Sequence, residues 1–450
     1  MSSILHTPRG RFYQHLSGRG LFRLIITVSA LCISYEGMSQ GIMGKWLFVH
    51  SQSINKESDA VGAVTVAPDF QIRMGFGTGN VVTRPTLQGG ISAIYYAGSL
   101  FGGFLAGWFS DRYGRIKGIW AACLICFCGV ILQTAAVNLA SILVARIVAG
   151  LGVSFILCIA PSWTAELSPA AHRGNTIALT FLANFGGIAV AAWIGFGTSF
   201  TEMYGGEFRW RFSFACQMIP VALIFFTSLL APESPRWLVK AGRGEEAYEI
   251  IALLRANGDR NHPEARREYN EILATVELEK QHADTTYVKM FFGISSGKEH
   301  IGRRIQLAFW LQVLMQFGTG IASVVIYSGT IFEIAGYRGT QQTLLSACLM
   351  LIGILGTGVA ALTLDRVGRR RTMYWGSIVL SIFLFIIGGL FRGSLNNPEN
   401  AQAYGNAATA FVFLYLFVFS SSWLMIPFIY PTEIFPTWLR AKGNAFGVAG

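Results

Sequence analysis

The chain alternates between long apolar runs and shorter polar segments. An α-helix needs about 20 mostly apolar residues to cross the hydrocarbon core of a bilayer, and ten runs in the sequence are of about this length. They cover residues 21–44, 88–109, 118–137, 141–163, 174–197, 210–230, 305–331, 342–364, 373–391 and 407–430. A further run opens at residue 443, shortly before the sequence ends at residue 450. The pattern predicts an all-α protein that crosses a membrane many times.

One polar stretch, 231–304, divides these runs into six before it and four after it, with the start of a fifth. Inside this stretch, residues 243–257 and 264–282 are predicted helices, with Gly258 as a C-cap and Pro263 just before the second helix. The predicted organisation is a cytoplasmic N-terminal segment 1–20, an N-terminal six-helix bundle 21–230, a cytoplasmic helical linker 231–304, and a second bundle 305–450 whose last helices are missing.

The distribution of charge indicates how the chain is oriented. Charged residues make up 13% of the chain, against about a quarter in soluble proteins, as expected of a surface that largely faces lipid. Most of the 35 lysines and arginines fall in segments on the same side of the membrane as the N-terminus, and basic residues mark the cytoplasmic side. We therefore expect a multi-pass protein of the plasma membrane with a cytoplasmic N-terminus. The net charge of +11 then reflects topology, and nucleic acid is not an expected partner.

The cysteines and histidines give no sign of a cofactor. All seven cysteines lie in apolar runs, which argues against the disulfide framework of a secreted protein. Cys123, Cys126 and Cys128 are spaced like metal ligands, but no histidine or acidic residue is near them. We interpret them as packing residues and expect no metal and no cofactor. Because the sequence carries no zinc, P-loop or nucleotide motif, an enzyme is not expected.

Two motifs of charged residues recur in the two halves of the chain. The second run is followed at 111–115 by DRYGR, and the eighth at 365–371 by DRVGRRR. The fourth and tenth runs are followed, at 166–173 and 433–440, by the pattern E-x-x-P-x-x-x-R. Parallel half repeats of this kind are typical of transporters. The repeat therefore predicts two related bundles that move a solute between them.

The repeated charges predict a gate at the cytoplasmic ends of the helices. Opposite charges at these ends hold the helix ends together, and each exposed pair contributes only about 0.2–1 kcal/mol, which suits a gate that opens repeatedly. Positive-inside topology alone explains the arginines but not the acids at fixed spacing. The predicted gate residues are Asp111, Arg115, Glu166, Arg173, Glu233 and Arg236 in the first half and linker, and Asp365, Arg369, Glu433 and Arg440 in the second half.

These motifs resemble those of a known family. The DRYGR and DRVGRR segments are similar to the signature loop of the major facilitator superfamily. Further segments resemble the hallmarks of its sugar porter family, in the fungal type: 35–41 (YEGMSQG), 210–211 (WR), 232–238 (PESPRWL), 430–436 (YPTEIFP) and 439–443 (LRAKG). The resemblance implies twelve helices in two six-helix bundles, alternating access, and a central site for a sugar, a polyol or a related small polar molecule.

The resemblance also implies substrate-binding positions, several of which differ here. The seventh helix of the family carries QQ-x-x-G-I-N, and this chain reads QFGTGIA at 316–322, so only the first glutamine remains. The eighth-helix asparagine position holds Gly353. The implied site has fewer amides than that of a typical hexose carrier. The candidate substrate-binding residues are Gln316, Gln312, Thr319, Tyr327, Asn184 and Trp423. Hydrogen bonding between helices is the alternative role for the polar residues, and packing is the alternative for Trp423.

Two ionisable side chains lie well inside apolar runs, Glu36 in the first and Arg146 in the fourth. A charge at the bilayer centre costs about 2.5–3.5 kcal/mol on insertion scales, so such residues face the bundle interior, where these two can pair. Arg146 matches an arginine that faces an acid of the first helix in proton symporters of the family. That acid aligns with Glu36 or with Ser39. The hypothesis is that Glu36 is the proton site; the alternative is a static ion pair.

The sequence thus predicts a sugar, polyol or sugar-acid transporter, with proton symport favoured. An uncoupled facilitator and a sugar sensor that does not transport are the alternatives. The expected partners are the small hydroxylated solute, a proton and the lipid bilayer. Residues 45–62 interrupt the family pattern after the first helix, as an outer loop or as retained non-coding sequence.

Overall fold

The computed structural model describes most of the chain. The described residues are 12–13, 16, 18–47, 68–75, 84–169, 173–198, 200, 206–281, 292, 300–326, 328–337, 340–435, 443 and 446. Most of the interrupting segment 45–62 lies outside these residues. Within them the regular structure is helical, as the apolar runs predicted.

In the described residues of the first half, the structure has eight helical segments from Arg19 onward. They are α1 (Arg19–Leu47), α2 (Pro68–Met74), α3 (Pro85–Tyr113), α4 (Arg115–Thr134), α5 (Leu139–Leu167), α6 (Arg173–Thr198), α7 (Gly206–Cys216) and α8 (Met218–Ser228). The linker forms α9 (Pro235–Lys240), α10 (Gly244–Ala256) and α11 (Pro263–Gln281). The two longer linker helices lie within one residue of the bounds that the sequence predicted.

The second half is less regular at its start. Its elements are α12 (Ile301–Val313), a π-helical turn (Leu314–Gly318), α13 (Ile321–Ile326), α14 (Ser328–Ile334), α15 (Thr340–Val367), α16 (Arg369–Asn396), α17 (Ala401–Ser422) and α18 (Ile426–Ile434). The predicted seventh run is therefore not one continuous α-helix, because the π-helical turn and Gly320 interrupt it. Gly320, with a φ of +70°, interrupts the helix at a conformation that L-residues other than glycine rarely adopt.

Eight helical segments in the described part of the chain are long and apolar enough to cross a membrane. Six are single helices (α1, α4, α5, α6, α15 and α16), and two are the joined pairs α7–α8 and α17–α18. All eight coincide with predicted runs. The second run forms α3, a continuous helix of 29 residues. The chain is a multi-pass membrane protein.

Helices α1 and α6 approach each other more closely than any side chain would permit. A Cβ atom at Gly37 would lie 2.0 Å from the carbonyl oxygen of Asn184, and one at Gly187 would lie 1.9 Å from that of Ser34. Small residues at such contacts allow the helix backbones to touch. Membrane helices associate through this van der Waals packing, because the hydrophobic effect does not favour their association in apolar lipid. These contacts fix α6 against α1 on both sides of residue 36.

The linker packs against the first half. The backbone N–H of Gly18 donates to the carbonyl of Leu253 in α10 (2.8 Å). The Nη2 atom of Arg255 donates to the carbonyl of Leu167, the last residue of α5 (3.1 Å). A cation at a helix C-terminus satisfies an otherwise unpaired carbonyl. Asn257, in a left-handed conformation (φ 49°), caps α10 just before the predicted capping glycine.

The α1–α6 contact predicts opposite effects for two neighbouring glycines of α6. Gly187→Ala should lower the free energy of unfolding by about 1–3 kcal/mol, because the added methyl group overlaps the Ser34 carbonyl. Gly186→Ala is the matched control, since nothing lies within 4 Å of its added Cβ, and alanine favours a helix by up to about 1 kcal/mol. The thermal midpoints of the purified proteins test this, and equal shifts for both variants would contradict it.

Candidate functional site

A carboxylate is buried in the first half of the protein. Glu36 of α1 is 4% exposed, and both of its oxygens accept hydrogen bonds from amides. The Nδ2 atom of Asn184 in α6 donates to one oxygen, and the Nε2 atom of Gln40, one turn further along α1, donates to the other. A buried charge requires such partners because its desolvation is costly. Asn184, a candidate for substrate binding, is therefore a partner of the buried acid.

Arg146 of α5 is buried nearby, at 2% exposure. Its Nη1 atom donates to Oε1 of Gln133 in α4 (3.2 Å), and its guanidinium lies 4.4 Å from the ring centroid of Tyr95 in α3. A cation over an aromatic face is stabilised by the ring quadrupole. Among the described residues no ion pair joins Arg146 to Glu36, so the direct contact expected from the sequence is absent. Glu36 binds neutral amides instead, and Arg146 binds Gln133 and Tyr95.

Tyr95 lies between the two charged groups. Its hydroxyl donates to Oγ of Ser39 (3.4 Å), a residue one turn from Glu36 on α1, while its ring lies against Arg146. Tyr95 thus links α1, one turn from Glu36, to Arg146 of α5. Gln133 was not identified from the sequence, although a glutamine inside the third apolar run was the available signal.

The seventh helix carries the implied substrate residues around its π-helical turn. Gln312 is buried and its Oε1 atom has no hydrogen-bond partner within the described structure, whereas Gln316 is exposed. Thr319 is buried, and its carbonyl accepts from the Tyr415 hydroxyl of α17. The π-helical turn Leu314–Gly318 lies between Gln312 and Thr319, so these residues do not follow the α-helical spacing of four and three positions. Tyr327 lies outside the described residues.

Trp423, which follows the last residue of α17, is buried, and its indole N–H already has a hydrogen-bond partner. Its Nε1 atom donates to Oγ of Ser377 in α16 (3.0 Å), and its ring belongs to the apolar cluster that joins α6, the seventh helix, α15 and α17. Of the two roles considered, the contacts of this tryptophan are those of packing.

The first-half gate residues converge on Arg115, which begins α4. Its Nη2 and Nε atoms donate to the two carboxylate oxygens of Glu166 (3.0 and 3.2 Å), and its Nη1 atom donates to Asp111 (3.1 Å). Paired donation from one guanidinium to one carboxylate is the strongest form of this interaction. We call this region, with Asp111, Arg115, Glu166 and Glu233, the charged end of the protein.

Glu233 of the linker caps the N-terminus of α4. Its carboxylate accepts from the backbone N–H groups of Arg115 (2.9 Å) and Ile116 (3.2 Å), at the N-terminus of α4, and from that of Ser234. An anion is favoured at a helix N-terminus, where N–H groups are unpaired. Burial raises the pKa of the Glu233 carboxyl above its ordinary value, although these N–H groups act in the opposite direction. The Ser234 hydroxyl donates to Glu166.

The other predicted gate residues form local pairs. Arg236 and Lys240 both bind Glu279 of α11 (3.3 and 2.9 Å). In the second half, Arg369 binds Glu433 (2.9 Å). The side chains of Arg173 and Asp365, and the whole of Arg440, lie outside the described residues.

Aromatic ring contacts join the two halves in the part of the chain that the structure describes. The rings of Phe181 in α6 and Phe428 in α18 have centroids 4.5 Å apart, and those of Phe104 in α3 and Phe446 lie 5.6 Å apart. The ion pairs described above each join groups within one half or within the first half and its linker. Among the described residues, the opposite charges of the predicted gate thus pair within a half, and ring contacts such as Phe181–Phe428 join the halves.

The cap by Glu233 predicts a stability effect. Glu233→Ala removes the acceptor of three backbone N–H groups, and we expect it to lower the free energy of unfolding by about 1–2 kcal/mol. The control is Glu271→Ala, which removes an exposed pair with Arg267 and should cost less than about 0.5 kcal/mol. Thermal unfolding of the purified variants measures both. An effect of Glu233→Ala no larger than that of the control would show that the cap does not stabilise α4.

Comparisons with known proteins agree with this architecture. The family model described as sugar (and other) transporter matches residues 27–450. The chain is 30% identical over 367 residues to the MFS-type transporter criB of Aspergillus cristatus, covering 81% of this chain and 76% of that protein. It is 30% identical over 376 residues to the high-affinity glucose transporter of Kluyveromyces lactis, covering 80% of this chain and 66% of that protein.

A third relative and one solved structure extend the comparison. The chain is 30% identical over 417 residues to the quinate permease of Neurospora terricola, covering 88% of this chain and 75% of that protein. The fold matches the proton:xylose symporter XylE bound to 6-bromo-6-deoxy-D-glucose with a TM-score of 0.75 at 22% identity, over 96% of this chain and 86% of that one. These matches are transporters rather than enzymes. The chain belongs to the sugar transporter family of the major facilitator superfamily.

Proposed function

We propose that this protein carries a sugar, or a cyclic polyol or sugar acid, across the plasma membrane by alternating access, together with a proton. The observation that carries the proposal is Glu36, a buried carboxylate held by neutral amides, with Arg146 on the ring of Tyr95, whose hydroxyl bonds to α1 one turn from Glu36. An acid at this depth is costly in its ionised form, so a change in its protonation has a large effect on its surroundings.

The substrate class rests on the family and on the seventh helix. Relatives named as a glucose transporter and a quinate permease both take their names from ring compounds that carry several hydroxyl groups. Gln312 and Gln316 lie on either side of the start of the π turn and supply amides that can bind such hydroxyls. The buried Oε1 atom of Gln312 accepts no hydrogen bond within the described structure and is available to a hydroxyl of the solute. Phe317 and Ala322 stand where the family has amides, so we propose a site with fewer hydrogen bonds and a larger apolar wall.

The proton step follows from the contacts of Glu36. When Glu36 is ionised, both amide hydrogen bonds are charge-assisted and the acid is attracted toward Arg146 beyond Tyr95. When Glu36 is protonated, that attraction is lost and one oxygen becomes a donor. The two forms therefore favour different positions of α1, and α1 lies in the first half beside α6. This difference supplies the coupling between proton and solute movement.

Closure at the charged end completes the proposal. Arg115, Glu166 and Asp111 hold the first half rigid at that end, and Arg369 with Glu433 does the same in the second. The halves then separate by breaking apolar contacts such as Phe181–Phe428. We propose that this end faces the cytoplasm, as the basic residues predict.

The alternative function is an uncoupled facilitator. The observation that favours it is that no ion pair joins Glu36 and Arg146 among the described residues, so these two groups also fit a static polar core.

Uptake into cells that lack their own carriers separates the two functions. With labelled D-glucose, D-xylose and quinate as probes, the wild-type protein should accumulate at least one of them against its gradient, and a protonophore should abolish the accumulation. Glu36→Gln should keep exchange but lose accumulation, because the amide carries no titratable proton. Glu399→Gln, at an exposed position, is the control. Accumulation that survives in Glu36→Gln would rule out Glu36 as the proton site.

The substrate site predicts a change in affinity. Gln316→Ala removes one hydrogen bond worth about 0.5–1.5 kcal/mol, and we expect KM for the transported probe to rise several-fold to about tenfold with a small change in maximal rate. Gln306→Ala, at an exposed position of α12, is the control. Concentration-dependent initial rates of uptake measure both, and an unchanged KM for Gln316→Ala would place the substrate elsewhere.

A further inference from the structure

Two consecutive residues of α6 contact the two halves of the protein. Asn184 donates to the buried carboxylate of Glu36 on α1, in the first half. The next residue, Phe185, is 2% exposed and places its ring on Gly353 of α15, in the second half. Since neighbouring residues of a helix point about 100° apart, one short segment faces both the acid and the opposite bundle.

The contact between α6 and α1 is close enough to limit independent movement of the two helices. The backbones of α1 and α6 touch at Gly37 and Gly187, on both sides of the bond from Asn184 to Glu36. A shift of α1 at residue 36 is therefore passed to the backbone of α6 rather than absorbed by side-chain rotation, because close-packed interiors transmit displacement.

The contact on the second side is equally close. A Cβ atom at Gly353 would lie 2.3 Å from two carbons of the Phe185 ring, so the ring occupies the space that any other residue at 353 would fill. The same ring belongs to the cluster that contains Met315 of the seventh helix and Tyr415 of α17. Movement of Phe185 thus acts on α15 and on the helices that carry the proposed substrate residues.

We propose that Asn184 and Phe185 form the coupling element of this carrier, in which Asn184 senses the protonation of Glu36 and Phe185 transmits it to the second half through its seat on Gly353. This inference rests on the proposed proton coupling. Both are positioning residues, since neither takes up the proton.

The direction of the effect follows from the hydrogen bond. The bond from Asn184 to ionised Glu36 is charge-assisted and about twice as strong as the bond to a neutral acid, so deprotonation draws α6 toward α1 and protonation releases it. The titratable and charged groups that face Glu36 from neighbouring helices are Tyr95 and Tyr96 of α3, with Arg146 of α5 behind Tyr95. From α6, the contact is made by the uncharged Asn184.

A distance measurement without substrate tests the coupling element. Spin labels at Lys117→Cys and Arg371→Cys, exposed positions at the starts of α4 and α16, report the separation of the halves in the reconstituted full chain, with Cys128 replaced by serine. The wild-type background should change its distance distribution between acidic and alkaline pH. Phe185→Leu should lose most of that change while remaining monodisperse, and Phe226→Leu, at an exposed position of α8, should keep it.

A compensating pair distinguishes coupling from misfolding. Gly353→Ala places a methyl group in the space of the ring and should also lose the pH-dependent change, whereas Phe185→Leu combined with Gly353→Ala frees room for that methyl group and should restore at least part of it. Restoration supports the coupling element.

Two results overturn these proposals separately. If Glu36→Gln abolishes the pH-dependent change and Phe185→Leu leaves it intact, the coupling element is wrong and the proton site stands. If Glu36→Gln keeps the full change, the proposed proton site is wrong, and the coupling element fails with it.

Discussion

The burial of an acid in an apolar bundle is the constraint on which the rest of the first half depends. Glu36 has almost no contact with water, so its oxygens need donors from neighbouring side chains, and these come from Asn184 and Gln40. Asn184 reaches the acid only because α6 lies against α1, and that approach requires glycine at positions 37 and 187. Arg146 has its own partners in Gln133 and Tyr95. The packing of these helices thus supplies the partners of both charges, from α6 for Glu36 and from α3 and α4 for Arg146.

The charged end uses electrostatics differently. There Arg115, Glu166 and Asp111 join helix ends of one half, and Glu233 brings the linker onto the N-terminus of α4. Such hydrogen-bonded pairs hold a half together as a unit that moves as a body. Ring contacts such as Phe181–Phe428 join the two units instead. Apolar contacts are non-directional, so they separate and re-form without requiring one fixed alignment of donors and acceptors.

Much of this architecture was predictable from the chain. Eight of the ten apolar runs coincide with helical segments long enough to span a membrane, and Gly258 and Pro263 indicate the end of one linker helix and the start of the next. The repeated charged motifs identified Arg115, Glu166 and Asp111 as neighbours because each motif follows a helix at the same end of the protein. The seventh helix was predicted as one run, yet Gly320 and the π turn at Leu314–Gly318 divide it, since hydrophobicity does not record local helical geometry.

The sequence by itself determined the membrane fold and the burial of Glu36 and Arg146, because these follow from apolar length and from the cost of exposing charge to lipid. Only the tertiary structure decided which groups satisfy that charge. Glu36 selects amides rather than Arg146 because Asn184 arrives from another helix, 148 positions along the chain. The contact between Phe185 and Gly353 is likewise decided by tertiary structure. The sequence does not indicate which ring occupies the space beside a glycine, because that depends on the packing of α6 against α15.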